Sequence, residues 1–169
     1  MSKKIASRTA QTVLMAECVL NWNDWVIDTA TLQKATLGST TANATLDTGD
    51  VAGLINGKNT TVTFDAIPLP IGAVIISGEV LVETVWAGPT ITCSVGIAGT
   101  TTKYTTTSDL AAATRVAFTI TTNVELGSNA GQNLRLTMAI GNTTATAGKA
   151  RIRVLYTVDG RASENSSLT

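Results

Sequence analysis

From Thr61 onward the chain alternates apolar and polar side chains with a period of two. That period marks a strand with one face buried. "TVTFDAI" places Val62, Phe64 and Ala66 on one face. "GAVIISGEVLVETVW" sets Val74, Ile76, Val80 and Val82 against Ile75, Ser77, Glu79, Leu81 and Glu83. Gly78 sits inside that run, where a glycine marks a bulge or bend. "TITCSVGI" aligns Ile91, Cys93, Val95 and Ile97; "RVAFTI" aligns Val116, Phe118 and Ile120; "NLRLTMAI" aligns Leu134, Leu136, Met138 and Ile140. The closing run sets Ala150, Ile152, Val154, Tyr156 and Val158 against Arg151, Arg153, Leu155 and Thr157. Between the runs lie "LPIG", "WAGP", "GIAGTTT", "GSNAGQ", "GNTTATAG" and "VDG", all rich in turn residues. Strands at this spacing predict an all-β fold, an antiparallel β-sandwich or jelly roll. "SDLAAAT" is the one helical hint, with Ser108 or Asp109 placed to cap a single turn.

The first sixty residues read differently. "TVLMAECVLNW" reads as a strand, and "NDWVIDT" and "TLQKATLG" as short extended pieces. "LDTGDVAGLINGKNTT" reads as a loop, with Asn56–Gly57 as a hairpin turn signal. The organisation expected is an extended N-terminal arm with outer strands over 1–58, a β-sandwich domain over 59–161 and a polar tail over 162–169.

Composition sharpens this. Charged residues are only 14% of the 169, against a usual quarter, and 31 threonines stand in their place. Threonine is β-branched and favours strands, and its hydroxyl keeps a surface wet without charge. So few charges suggest that a partner covers much of the surface. The formal net charge is zero, from 12 basic and 12 acidic residues, so no nucleic-acid partner is expected. No apolar run approaches the roughly 20 residues of a membrane span. The opening "MSKKIASRTAQTVLMAECVL" imitates a signal peptide, but Glu17 interrupts its apolar run and no small-residue cleavage site follows, so none is expected.

Candidate chemistry is sparse. The absence of histidine removes the commonest general base and metal ligand. "LDTGD" at 46–50 contains the Asp-Thr-Gly of aspartic proteases, but only once, with Asp50 where those enzymes carry a small hydroxyl residue. Asp24, Asp28, Asp47 and Asp50 lack the spacing of a calcium loop. Glu79 and Glu83 share a face and are expected to meet Arg135, Arg151 and Arg153 across neighbouring strands. Cys18 and Cys93 read as small buried hydrophobes rather than a disulfide. No enzyme activity, cofactor or metal is expected. The candidate partner-binding residues are Trp22 and Trp25 in "NWNDWVI", the basic arm Lys3, Lys4 and Arg8, and the outward-facing Arg151 and Arg153.

Three stretches carry a resemblance: "FDAIPLPIGAVIISGEVLVETVWAGPTITCSVGI", "TTTSDLAAATR" and "ATAGKARIRVLYTVDGRASEN". The chain from about residue 64 to 165 resembles the head decoration, or cement, proteins of tailed bacteriophages. The resemblance implies a jelly-roll-like sandwich and a structural virion role. It implies binding between capsomers on the outer capsid surface, with the major capsid protein and further copies of itself, as trimers or dimers at a symmetry axis, as partners. It implies synthesis in the bacterial host cytoplasm and no active residues. The alternative left open is a fibre- or tail-associated module that recognises a host saccharide, with Trp22, Trp25 and Tyr104 as its few aromatics.

Overall fold

The computed structural model describes residues 13–30, 32, 34–38, 61–88, 90–120, 133–141 and 145–158. Alternation becomes strand wherever one face finds a core. In β9 (Asn133–Ile140) every second side chain from Leu134 to Ile140 is buried. In β10 (Ala147–Val158) Ala150, Ile152 and Val154 are buried while Arg151, Arg153 and Leu155 face out. The other elements are β1 (Leu14–Asn21), β2 (Trp25–Ile27), β3 (Lys34–Thr36), β4 (Thr61–Pro68), β5 (Ala73–Ala87), β6 (Ile91–Ile97), β7 (Thr100–Asp109) and β8 (Arg115–Ala117).

Two four-stranded sheets form, β1-β10-β5-β8 and β4-β9-β6-β7, and β2 and β3 make a separate ribbon. Every pairing is antiparallel. Setting the ribbon aside, the pairs nest: β1 with β10, β4 with β9, β5 with β8, β6 with β7. First strand meets last, second meets second-last, and so inward. That is one long hairpin rolled into two facing sheets, which is the jelly roll. Ile152, Val80 and Trp86 of one sheet meet Val62, Leu134, Leu136, Met138 and Val95 of the other in one core.

Two strands change face partway, which strict alternation did not predict. In β5, Ile75 is 4% exposed and Ile76 is 47% exposed, although Ile76 shares parity with buried Val80 and Val82. Tyr156 pairs with Ile75 and Leu155 with Ser77, so Ile76 is an unpaired extra residue. One inserted residue reverses the facing of everything before it. The bulge lies two residues before Gly78, against which the Phe118 ring packs. β4 does the same: Asp65 pairs with Arg135 and Ile67 with Leu134, so Ile67, not Ala66, completes the buried face.

Further expectations are corrected. "GIAGTTT" is not only a turn, because Thr100–Asp109 is the strand that closes a hairpin with β6. Its buried side chains include Tyr104, Thr105 and Ser108, too few apolar ones to signal a strand. "SDLAAAT" forms no helix. Ser108 and Asp109 end β7, and Asp109 Oδ1 accepts the Ala111 N–H at 2.8 Å, an Asx turn in place of a helix cap. Arg135 lies in the second sheet and pairs with Asp65 at 2.8 Å, away from Glu79 and Glu83. Cys18 and Cys93 are free thiols, as expected, but only Cys93 is buried, and that burial pushes it up to about 12, while Cys18 is half-buried.

Candidate functional site

The outer face of the first sheet carries a connected row of charges. The register places Glu17, Arg153 and Glu79 directly opposite one another on β1, β10 and β5. Arg115 Nε meets Glu79; Glu79 Oε1 lies 3.6 Å from Arg153 Nη1; Arg153 Nε lies 3.5 Å from Glu17 Oε2. Arg151 Nη1 donates to Glu17 at 3.1 Å and Arg151 Nε to Glu83 Oε1 at 2.6 Å, and Lys149 Nζ closes the row 2.9 Å from Glu83. Three carboxylates thus alternate with four cations. These side chains are partly exposed, so solvent screens the pairs and no single pair holds the sheet together. What the row supplies is register: a one-residue slip of β10 would set Ile152 or Val154 opposite Glu17 and Glu79. Below it, Met15, Gly78, Ala117 and Leu155 line a shallow depression rimmed by Glu79, Arg115 and Arg153.

These pairs predict an acid response. Hydrogen bonds from Lys149 and Arg151 hold the Glu83 carboxyl below its ordinary range, and the Arg135 hydrogen bond does the same for Asp65. A folded-state value below the unfolded one stabilises the fold above the unfolded value, and the gain is lost as pH falls through the folded one. Unfolding free energy, measured by urea titration, should therefore be level near neutrality and fall between about pH 5 and pH 2. Asp65→Asn with Glu83→Gln should flatten that fall. An unchanged profile in the double variant would remove the assignment.

A second feature is the β2–β3 ribbon. Trp25 pairs with Thr36 and Ile27 with Lys34, so these four share one face. Val26 and Ala35 turn inward and pack on the core. The outer face is apolar and cationic: Trp25 is 59% exposed, Ile27 is 49% exposed, and Lys34 Nζ sits 4.5 Å from the Trp25 ring centre. Leu32, in the connection, is 72% exposed and held at φ 58, a region bulky side chains rarely enter. The ribbon is braced, not loose. Buried Asp28 accepts the Thr63 N–H at 3.1 Å, Thr29 N–H donates to the Thr63 carbonyl at 2.7 Å, and Leu37 N–H donates to the Asp24 carbonyl at 2.8 Å. Beside it opens a cleft of about 300 Å³, floored by Leu20, Val26, Leu37, Phe64 and Ala66 and carrying Asp24 and Asp65.

The residues singled out in the sequence separate. Lys3, Lys4, Arg8, Asp47 and Asp50 lie outside the described residues. Trp22 is half-buried, packs against the core and donates its backbone N–H to Gly148 O at 3.0 Å. Trp25 stands exposed on the ribbon. Arg151 and Arg153 belong to the charge row: Arg151 is hydrogen-bonded to Glu17 and Glu83, and Arg153 lies within ion-pair distance of Glu17 and Glu79. Tyr104 is buried and stacks on Phe118 at 5.6 Å, and burial pushes its hydroxyl up to about 12. Among the described residues no cluster of three or more Cys, Asp or Glu side chains could hold a metal. Lys34 and Leu32 carry no signal in the sequence, because cross-hairpin register and backbone φ are not visible in composition. Ile27 did carry a signal, since it shares Trp25's parity in "WVI".

No protein-family model matches the chain, and no curated protein matches it. Solved structures do. A chain of the Cyanophage Pam1 capsid asymmetric unit superposes with a TM-score of 0.55 at 18% identity, over 94% of this chain and 92% of that one. A chain of the acidic stable capsid structure of Helicobacter pylori bacteriophage KHP30 does so with a TM-score of 0.53 at 14% identity, over 90% of this chain and 94% of that one. At these identities the likeness is one of fold.

Proposed function

We propose that this chain is a structural protein of a phage virion, a decoration or cement protein that seats between capsomers on the outer surface of the head and stabilises it. One observation carries the reading: both capsid chains match this jelly roll across at least nine tenths of their length and its own. The likeness spans nearly the whole of each chain and is not confined to a shared fragment. The surface agrees. The first sheet offers a row of paired charges with one positive charge in excess, and the ribbon offers apolar side chains that gain from being covered. The partners are the major capsid protein and further copies of this chain. The basic arm, with Lys3, Lys4 and Arg8, is assigned to an acidic stretch of a neighbour.

The saccharide-recognition reading has less support. It needs an aromatic platform, yet Tyr104 is buried and Trp22 is half-buried, leaving Trp25 as the exposed aromatic of the three. The test is addition of purified protein to heads that lack it. Saturable, stoichiometric binding is expected, with treated heads withstanding more heat or chelator than bare ones. No binding to heads, together with specific glycan-array hits lost in Trp25→Ala, would reverse the assignment.

A further inference from the structure

We infer that the β2–β3 ribbon is a self-association site: Trp25 and Lys34 of one copy seat in the cleft beside the ribbon of a second copy, and the reverse contact forms at the same time. This deepens the reading above, in which further copies of this chain are partners, by naming the surface through which two copies meet.

The two halves of the contact lie side by side on one surface. Trp25 borders the cleft lined by Leu20, Phe64 and Ala66. A protrusion next to its own complementary hollow is what a two-fold interface requires, since each patch must meet itself. The apolar halves match: an exposed indole, flanked by Ile27, faces a floor of aliphatic and aromatic side chains. Exposed indoles that enter such a floor are the usual energetic centres of interfaces.

The charges also match. Lys34 makes a cation–π contact with Trp25 but no ion pair among the described residues. In the cleft, Asp24 Oδ2 accepts from the Asn21 N–H and Nδ2 at 2.7 and 3.0 Å, while its Oδ1 accepts no hydrogen bond from a described residue. Asp65 is already held by Arg135 and Asn133, which leaves Asp24 as the acceptor for the incoming lysine.

The test is sedimentation velocity of the purified full chain over a concentration series. A monomer–dimer equilibrium is expected. Trp25→Ala should weaken it at least about thirtyfold, and Lys34→Asp about tenfold with the salt dependence reversed, since two Asp–Asp repulsions replace two ion pairs. Both side chains are exposed, so the far-ultraviolet circular dichroism of both variants should be unchanged. Mixing Lys34→Asp with Asp24→Lys should restore dimers, because both contacts in the mixed pair are then complementary. Asp24→Asn, which keeps the acceptor for Asn21, should weaken dimers without unfolding the turn. A chain that stays monomeric at every concentration, a dimer indifferent to these variants, or a mixture that fails to re-form overturns the inference.

Discussion

Trp86→Ala is expected to lower the unfolding free energy by about 3–5 kcal/mol, among the largest single losses available in this fold. Trp86 is 1% exposed, near the end of β5, where the first sheet closes over the core. Its indole lies against Gly148, where an added Cβ would come within 2.4 Å of the ring. Its backbone N–H donates to Leu110 O at 3.0 Å, which ties the strand end to the turn after β7. Removing the ring leaves a void that this rigid, hydrogen-bonded frame cannot collapse into. The indole Nε1 finds no acceptor among the described residues. A buried donor without a partner costs about 1–3 kcal/mol. Trp86→Phe gives up some contact area but removes that cost, so it should fall within about 1 kcal/mol of the parent. Urea denaturation of the three proteins separates these outcomes. A phenylalanine variant as unstable as the alanine variant would mean that the ring nitrogen is satisfied and the account of it wrong.

Gly96→Ala should cost about 3 kcal/mol, at the upper end for overpacking. A Cβ there would lie 2.1 Å from Thr100 O and 2.4 Å from Thr101 C. Both are backbone atoms, so no side chain can swing aside. The reason is the irregular pairing of β6 and β7: Ile97 pairs with Thr100, but Val95 pairs with Thr105, so extra β7 backbone folds over Gly96. Gly99 is the informative control. It turns the hairpin at φ +82 with open space around it, so Gly99→Ala meets only the left-handed backbone cost of about 1–2 kcal/mol. Thermal or urea unfolding should therefore rank Gly96→Ala below Gly99→Ala. Equal losses, or a harmless Gly96→Ala, would show that the β7 excursion moves freely.

The pairing that makes this a jelly roll could not be read from the chain. Alternation in "NLRLTMAI" and "ARIRVLY" was enough to name the strands and their buried faces, because a period of two is a local property of the backbone. It was also enough to expect the glutamates of β5 to meet Arg151 and Arg153, since parity survives whatever the strand pairs with. It failed at Ile76 and Ala66, where a bulge inserts one residue and the facing flips. It passed over β7, whose threonines form a strand because β6 lies beside them rather than because of their own apolar content.

The interaction surface divides the same way. Tryptophans in "NWNDWVI" were legible as candidates, but the sequence treats Trp22 and Trp25 alike. Only the fold turns one against the core and leaves the other beside Lys34. An all-β chain, its strand faces and its poverty in catalytic groups follow from residue types and their spacing, because those act over a few bonds. Which strands become neighbours, where the chain slips register and which apolar side chains stay uncovered depend on contacts between residues far apart in sequence, and these exist only once the two sheets have closed on each other.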